Sequence, residues 1–259
     1  MSAGREQAGR EQAGPKPIRR ANAFWYYFSK FCVWSFSKLY FRLRVEGKEN
    51  WPADGPVIVV ANHASYLDPP MVGISAPRVV LFLAQAGLAN FGPARWWMSK
   101  VGLTLIDRDA PSKAALRLLS DSLKAGQAVG IFPEGTRSKD GRVSAFQSGV
   151  EFLVRRTQAP VLPVGLDGPF RAYPRKAWLP RPRKVIVRWG PLWTADQVLA
   201  PGGVEALRQQ VAELARADLK DRRRDRRDDR SNPSSNTEHS PAEASSVRVS
   251  SVGRARHSS

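Results

Sequence analysis

Cysteine, histidine and long apolar runs are all scarce in this chain of 259 residues. Its one cysteine, Cys32, excludes an intramolecular disulfide, and no spacing of cysteine and histidine predicts a metal site. No uninterrupted apolar stretch approaches the roughly 18–20 residues that a membrane-spanning helix needs. The N-terminus contains no apolar segment, which argues against a secretory signal. We therefore expect neither a disulfide nor a metal nor a spanning helix.

Acidic residues are also few relative to basic ones. Lysine and arginine number 41 against 23 aspartates and glutamates, which gives a net charge of +18. Such a charge favours polyanionic partners, namely nucleic acid, anionic lipid headgroups or phosphorylated substrates. The densest charge run, residues 220–230, mixes seven basic with four acidic residues, and no nucleic-acid-binding motif accompanies it. A basic nucleic-acid-binding protein is therefore kept only as the alternative of another class.

Composition divides the chain into four parts. Residues 1–21 contain a short repeat, AGREQ, and we expect a flexible N-terminal segment there. Residues 22–47 are rich in aromatic side chains, and residues 48–219 alternate apolar runs with helix-like segments, as a folded domain does. Residues 220–259 carry few bulky apolar side chains, so burial cannot offset the entropy of ordering them, and we expect a disordered tail.

The aromatic segment 22–47 predicts an amphipathic helix. Its polar residues recur every seven or eight positions and draw a stripe along one helical face, namely Asn22, Ser29, Ser37 and Arg44. Tryptophan, tyrosine and lysine mixed in one helix are typical of the headgroup boundary of a bilayer. We predict that this helix lies on an anionic membrane surface. The alternative is a helix packed on the domain's own core.

The central part of the chain predicts an α/β fold. Its strand candidates are apolar runs without polar alternation, as expected of strands covered on both faces: 56–61, 78–84, 102–107, 128–133, 161–166 and 184–189. Helix candidates occupy 111–126, 145–157 and 204–220, with Gly126 placed to end the first of them. This alternation predicts a mostly parallel central sheet flanked by helices.

The stretch NHASYLDPP, residues 62–70, places a histidine just past a predicted strand. His63 is the only histidine outside the predicted tail, and imidazole is suited to take a proton from a hydroxyl. Asp68 could orient it, although an i,i+5 pair does not meet on a straight helix. We expect a turn to bring the two together, with Pro69 biasing Asp68 away from helical geometry. From these residues alone, a catalytic dyad and a structural hydrogen-bonded pair both stay open.

A second polar stretch, IFPEGTRS, follows another predicted strand at residues 131–138. Gly135 permits a tight turn, and Arg137 offers a planar fork of donors that suits a phosphate. Thr136 can add a hydroxyl donor. Taken alone, the stretch would by default be interpreted as a polar turn carrying a solvated arginine.

Together, NHASYLDP and the later FPEGTRS closely resemble the glycerolipid acyltransferase family, which includes the 1-acylglycerol-3-phosphate acyltransferases. The resemblance implies that His63 and Asp68 are catalytic. It also implies that the second block contacts the phosphate and glycerol of the acceptor, through Glu134, Gly135, Thr136 and Arg137.

Two weaker blocks extend the resemblance over about residues 55–190. LTLIDRD resembles the family's second motif and makes Arg108 a candidate phosphate ligand, and VLPVGLDG resembles its fourth. Two positions depart from the family pattern, since Gln85 and Gln147 stand where relatives often carry lysine. Each departure removes a positive charge, and together they leave the identity of the acceptor open.

The resemblance implies direct acyl transfer from acyl-CoA or acyl-carrier protein, as co-substrate, to the free hydroxyl of lysophosphatidate. No cofactor and no metal are expected. Ser65 lies close to His63, but no nucleophile-elbow pattern surrounds it. Glycerol-3-phosphate or another lysophospholipid as acceptor, and an inactive membrane-binding homologue, are the alternatives within the family. We expect a peripheral protein at the cytoplasmic face of a membrane, in contact with its lipid substrate and anionic headgroups.

Overall fold

The computed structural model of the protein describes residues 23–85, 104–106, 112–175 and 177–219. Both predicted flexible ends of the chain lie outside these residues. The described part contains a sheet of seven strands: β1 (Arg44–Glu46), β2 (Val57–Ala61), β3 (Val80–Gln85), β4 (Thr104–Ile106), β5 (Ala128–Ile131), β6 (Val161–Asp167) and β7 (Ile186–Trp189). All but β1 coincide with predicted apolar runs.

The strands are ordered β1-β7-β6-β2-β5-β3-β4, and each neighbouring pair is parallel except β6 with β7. The described helices are α1 (Ala23–Tyr40), α2 (Asp68–Ser75), α3 (Ser112–Lys124), α4 (Gly149–Thr157), α5 (Pro169–Ala172), α6 (Ala195–Leu199) and α7 (Gly203–Ala215). The predicted fold class, a mostly parallel sheet flanked by helices, is confirmed.

Strand β2 lies at the centre of the sheet and is buried on both faces. Val57, Val59 and Ala61 face one core, which also includes side chains of α2. Ile58 and Val60 face a second core, built with α3, α4, α6 and α7. Because each fully buried valine or isoleucine contributes about 1.5–3 kcal/mol, a strand of this kind has no reason to alternate apolar with polar residues.

Helix α1 is shorter than predicted, because it ends at Tyr40 rather than near residue 47. Arg42 adopts a positive φ of 47°, which an α-helix does not allow. Phe41 and Leu43 on either side of it are each only 1% exposed in the core. This anchoring turns the chain into β1, which pairs with β7. Buried side chains at alternate positions, here Phe41 and Leu43, are typical of a strand. The aromatic residues around them favoured a longer helix in the sequence-based prediction.

The polar stripe of α1 faces the protein rather than water. Ser29 and Ser37 are 7% and 0% exposed, and Lys30 donates a hydrogen bond to the carbonyl of Ala76 at the end of α2. The remaining surface of the helix carries exposed aromatic side chains: Phe24, Tyr27, Phe28, Phe31, Trp34 and Phe36. The helix thus packs through small polar residues and presents its aromatic rings outward. Across the described ranges, every helix is too short or too polar to span a bilayer.

Candidate active site

The two polar motifs meet because they follow neighbouring parallel strands. Val60 of β2 is in register with Ile131 of β5, so the carboxyl ends of both strands reach the same edge of the sheet. His63 lies two residues beyond β2, and Glu134 three residues beyond β5. Loops at the carboxyl edge of a parallel sheet are the usual place for ligand sites in α/β folds.

The backbone of His63 is held on both sides by the second motif. Its N–H donates to the Glu134 carboxylate over 2.7 Å, and its carbonyl accepts from the Ser138 N–H over 2.7 Å. The side chain of Asn62, just before it, forms a two-way pair with the backbone of Leu166 on β6, with distances of 2.8 and 3.2 Å. Two separate segments, the second motif and β6, therefore fix the position from which the imidazole projects.

His63 and Asp68 form the predicted pair. The distance between His63 Nδ1 and Asp68 Oδ2 is 2.9 Å, and Oδ2 also accepts the backbone N–H groups of Ala64 and Ser65 over 2.6 and 2.7 Å. Because Oδ2 acts as an acceptor, Nδ1 carries the proton of the neutral imidazole and Nε2 is left as the basic atom. Asp68 is fully buried while the His63 side chain is 20% exposed, so the imidazole remains accessible.

The expected turn lies between His63 and Asp68, but the conformation of Asp68 differs from the prediction. Asp68 is the first residue of α2, followed by Pro69 and Pro70 inside the first helical turn. Proline is tolerated there because the first backbone N–H groups of a helix have no partner within it. The carboxylate therefore lies at a helix N-terminus, where the helix dipole favours negative charge.

The imidazole of His63 stacks on aromatic rings that the sequence did not predict for the site. Its centroid lies 4.3 Å from that of Phe132, with 24° between the planes, and Phe132 stacks in turn on Phe82 at 5.5 Å. Gly130 makes room for this stack, because a Cβ there would lie 2.2 Å from the Phe82 ring. The orientation of the base thus depends on β3 and β5 as well as on its own loop.

Ser65 does not have the surroundings of a nucleophile. It is fully buried, and its hydroxyl donates to the carbonyl of Tyr173 over 2.8 Å while accepting from the N–H of Leu67. A nucleophilic serine needs an accessible hydroxyl bonded to its general base. The hydroxyl instead ties the 65–67 turn to the start of the loop that follows α5.

The carboxylate of Glu134 is occupied by backbone donors. Oε1 accepts from His63, Oε2 accepts the N–H of Ser144 over 2.8 Å, and the residue is only 6% exposed. Burial raises the pKa of Glu134, and the hydrogen bonds from Ser144 and His63 oppose that shift. Glu134 thus links three loop segments. The contact with the acceptor that the resemblance implies stays a prediction.

The rest of the second motif forms an exposed turn. Gly135 has a φ of +74°, and a Cβ there would lie 2.2 Å from Nε2 of Gln147. Thr136 is exposed. The position where relatives often carry lysine, Gln147, therefore lies directly against this turn. Arg108 and the side chain of Gln85 lie outside the described part of the structure.

Arg137 is held over an aromatic ring. Its Cζ lies 3.5 Å from the ring centroid of Tyr66, which belongs to the same turn as His63. Its Nη1 is buried and has no hydrogen-bond partner among the described residues. A buried guanidinium nitrogen without an acceptor costs free energy until an anion satisfies it. The sequence predicted Arg137, but the supporting role of Tyr66 depends on a contact between two motifs.

Replacing Glu134 by glutamine tests its linking role. The amide offers one acceptor oxygen, so its NH₂ group must face one of the two backbone donors. Burial raises the pKa of Glu134 in the folded protein. The protonated side chain therefore stabilises the folded state at a pH below the ordinary pKa of a glutamate. This stabilisation is lost as the pH rises through the raised pKa. In urea unfolding from about pH 4 to pH 7, we expect the wild type to lose stability relative to Glu134→Gln as pH rises.

The matched control is Glu213→Gln, the same change at an exposed position of α7. Its stability difference from the wild type should stay nearly constant over this pH range. A constant difference for Glu134→Gln as well would contradict the assigned burial effect.

Comparisons with known proteins match the part of the chain that contains this site. A family model described as Acyltransferase matches residues 42–167, which include both motifs. The chain is 33% identical over 147 residues to a chloroplastic 1-acyl-sn-glycerol-3-phosphate acyltransferase of Arabidopsis thaliana, covering 55% of this chain and 41% of that protein. It is 26% identical over 179 residues to the 1-acyl-sn-glycerol-3-phosphate acyltransferase of Bacillus subtilis, covering 66% of this chain and 87% of that protein.

A solved structure shows the same fold. The crystal structure of the 1-acyl-sn-glycerophosphate acyltransferase from Thermotoga maritima matches with a TM-score of 0.59 and 29% identity, covering 77% of this chain and 82% of that one. In sequence and in fold the chain is thus similar to 1-acyl-sn-glycerol-3-phosphate acyltransferases. It spans 41% of the length of the Arabidopsis thaliana relative and 42% of the length of a chloroplastic 1-acyl-sn-glycerol-3-phosphate acyltransferase of Brassica napus.

Proposed function

We propose that the protein is an acyltransferase that moves a fatty acyl group from a thioester to the free hydroxyl of 1-acylglycerol-3-phosphate, making phosphatidate. The observation that carries this proposal is the pairing of a base with an anion-binding group at one edge of the sheet. Nε2 of His63 is available because Asp68 holds Nδ1, and Arg137 presents an unpaired donor nearby in the same pair of loops.

In the proposed mechanism, Nε2 of His63 takes the proton of the acceptor hydroxyl as the oxygen attacks the thioester carbonyl. Asp68 stabilises the imidazolium that forms. The tetrahedral intermediate then collapses, the carbon–sulfur bond breaks, and the thiolate leaves with the proton that His63 returns to it. A thiolate is a good leaving group, and the buried hydroxyl of Ser65 offers no nucleophile, so transfer is direct.

Arg137 would bind the phosphate of the acceptor. A phosphate satisfies the unpaired Nη1 through a charge-assisted hydrogen bond, and this contact holds the acceptor hydroxyl near the base. The donor would be acyl-CoA or acyl-carrier protein, both of which present the same thioester. No other cofactor is needed for this reaction.

The protein would act at a membrane surface, since its acceptor is a lipid. Support comes from the exposed aromatic face of α1 and from the net charge of +18, which suits anionic headgroups. We place it peripherally at the cytoplasmic face. No feature of the described residues favours the nucleic-acid alternative over this one.

The test is acceptor-dependent release of free thiol by the purified full chain, given acyl-CoA and lysophosphatidate in mixed micelles. We expect release in the wild type and its loss in His63→Ala. A panel of glycerol-3-phosphate, lysophosphatidylcholine and acyl-carrier protein identifies another acceptor or donor. Release that persists in His63→Ala, or none with any pair in the panel, contradicts the proposal.

A further inference from the structure

The loop between α5 and β7, residues 173–184, ends in an exposed apolar tip. Trp178 is 89% exposed and Leu179 is 61% exposed. Tryptophan is normally well buried, and two adjacent large apolar side chains left in water are unfavourable unless something covers them. Neither side chain belongs to either core of the domain.

Positive charge surrounds this tip. The loop contains five basic residues and no acidic one: Arg175, Lys176, Arg181, Arg183 and Lys184. All of them that the structure describes are exposed, and none takes part in the ion pairs of the described residues. An apolar tip with an aromatic ring and a basic rim is the composition that suits the boundary between lipid tails and anionic headgroups.

The loop joins the site to helix α1. At its start, the carbonyl of Tyr173 accepts the hydroxyl of Ser65, and the Tyr173 ring lies 6.0 Å from that of Tyr66. Near its end, the carbonyl of Pro180 accepts the hydroxyl of Tyr40, the last residue of α1, over 2.9 Å. The loop therefore runs from the turn that carries the base to the helix whose aromatic rings face outward.

We propose that the 173–184 loop is a second membrane contact, which inserts Trp178 and Leu179 into an anionic bilayer beside the active site. Its partner is a lipid surface rather than a polyanionic macromolecule, because an exposed leucine beside the tryptophan gains nothing from a phosphate backbone but is covered by lipid. The loop follows β6, which is parallel to β2, so the contact lies at the edge of the sheet where His63 lies. That a lipid acceptor enters the site beside it rests on the function proposed above.

Vesicle binding of the full chain tests this contact. Binding is compared between vesicles of phosphatidylglycerol and phosphatidylcholine, in a molar ratio of about one to two, and vesicles of pure phosphatidylcholine. We expect the double variant Trp178→Ser and Leu179→Ser to bind the anionic vesicles about tenfold more weakly than the wild type. The control, Phe152→Ser, removes an exposed ring from α4, which packs on the other face of the sheet from α1 and α2. It should bind like the wild type, and equal losses in both variants would overturn the proposal.

Site-directed labelling locates the contact directly. With Cys32→Ser as background, a solvent-sensitive dye is attached through Trp178→Cys or Phe152→Cys. On anionic vesicles, only the dye at position 178 should shift its emission maximum to shorter wavelength, and only its emission should be quenched by brominated lipid. An unchanged spectrum at 178 on vesicles, or a response to single-stranded RNA alone, overturns the proposal.

Acyl transfer to lysophosphatidate in detergent micelles is measured in parallel. A wild type without activity whose labelled loop still enters vesicles would contradict the proposed function and leave the membrane contact standing. An active wild type whose labelled loop does not enter vesicles would contradict the membrane contact and leave the proposed function standing.

Discussion

Asp68→Asn should lower kcat by about 1000-fold while leaving the fold intact, because a charge pair at this distance contributes about 4 kcal/mol. The backbone N–H groups of Ala64 and Ser65 demand an acceptor at the position of Oδ2, so the amide oxygen must take that place. There it can still accept from Nδ1 of His63, and the tautomer survives. What disappears is the negative charge that stabilises the imidazolium during proton transfer. The substitution therefore separates the electrostatic contribution of Asp68 from its geometric one.

Asp68→Ala is the contrasting variant. It removes the acceptor from two backbone N–H groups at a fully buried position, and each unpaired group costs about 1–3 kcal/mol of stability. We expect it to lose both activity and melting temperature, whereas the asparagine variant loses mainly activity. The measurements are kcat for acyl transfer and thermal unfolding of both variants. An asparagine variant with nearly normal kcat would show that His63 and Asp68 are a structural pair and not a catalytic dyad.

Arg137→Ala should raise the KM for lysophosphatidate by about 100-fold, because the acceptor phosphate loses a charge-assisted contact in a partly desolvated place. Tyr66 should matter through the same contact. Tyr66→Leu removes the ring 3.5 Å from the guanidinium, and we expect KM to rise by about 3- to 30-fold. Tyr66→Phe keeps the ring and its electron-rich face, so it should behave nearly like the wild type.

An acceptor without a phosphate provides the control for both residues. With a monoacylglycerol, the wild type should be slow, and neither Arg137→Ala nor Tyr66→Leu should slow it much further. A fall in kcat for Tyr66→Leu with both acceptors would mean instead that the ring maintains the turn carrying His63. Equal effects of Tyr66→Phe and Tyr66→Leu would contradict the proposed contact between ring and guanidinium.

The parts of the fold that sequence predicts well are those set by local pattern. Strand β2 is an unbroken apolar run, and its burial on both faces follows from that pattern alone. Helix α3 ends at Lys124, and Gly126 takes the positive φ of 75° that its place in the sequence suggested. In each case the residues that decide the structure are neighbours along the chain.

The orientation of α1 is a feature that such local patterns do not predict. Periodicity defined a polar stripe through Ser29 and Ser37, but it could not tell which face turns inward. Both serines are small enough to let the helix approach the domain closely, and their burial leaves the aromatic rings outside. The inward face is therefore fixed by contacts with α2, namely the close approach at the serines and the hydrogen bond from Lys30 to the carbonyl of Ala76.

The site was predictable only in its chemistry. The two sequence motifs predicted His63, Asp68 and Arg137, whose side chains suit proton transfer and phosphate binding. Their supports, Phe132 and Tyr66, act through ring contacts between segments that are distant in sequence. Sequence offers no signal for such pairs, because an aromatic residue beside a strand is equally consistent with the core.

The backbone of His63 is clamped by two hydrogen bonds, one to Glu134 and one from Ser138. This clamp has a consequence for how the sequence of the chain can change. The clamp depends on the register of β2 with β5, which brings the loops after the two strands together. Insertions or deletions between β3 and β5 can therefore change the length of that connection while the backbone of His63 keeps both of its hydrogen bonds.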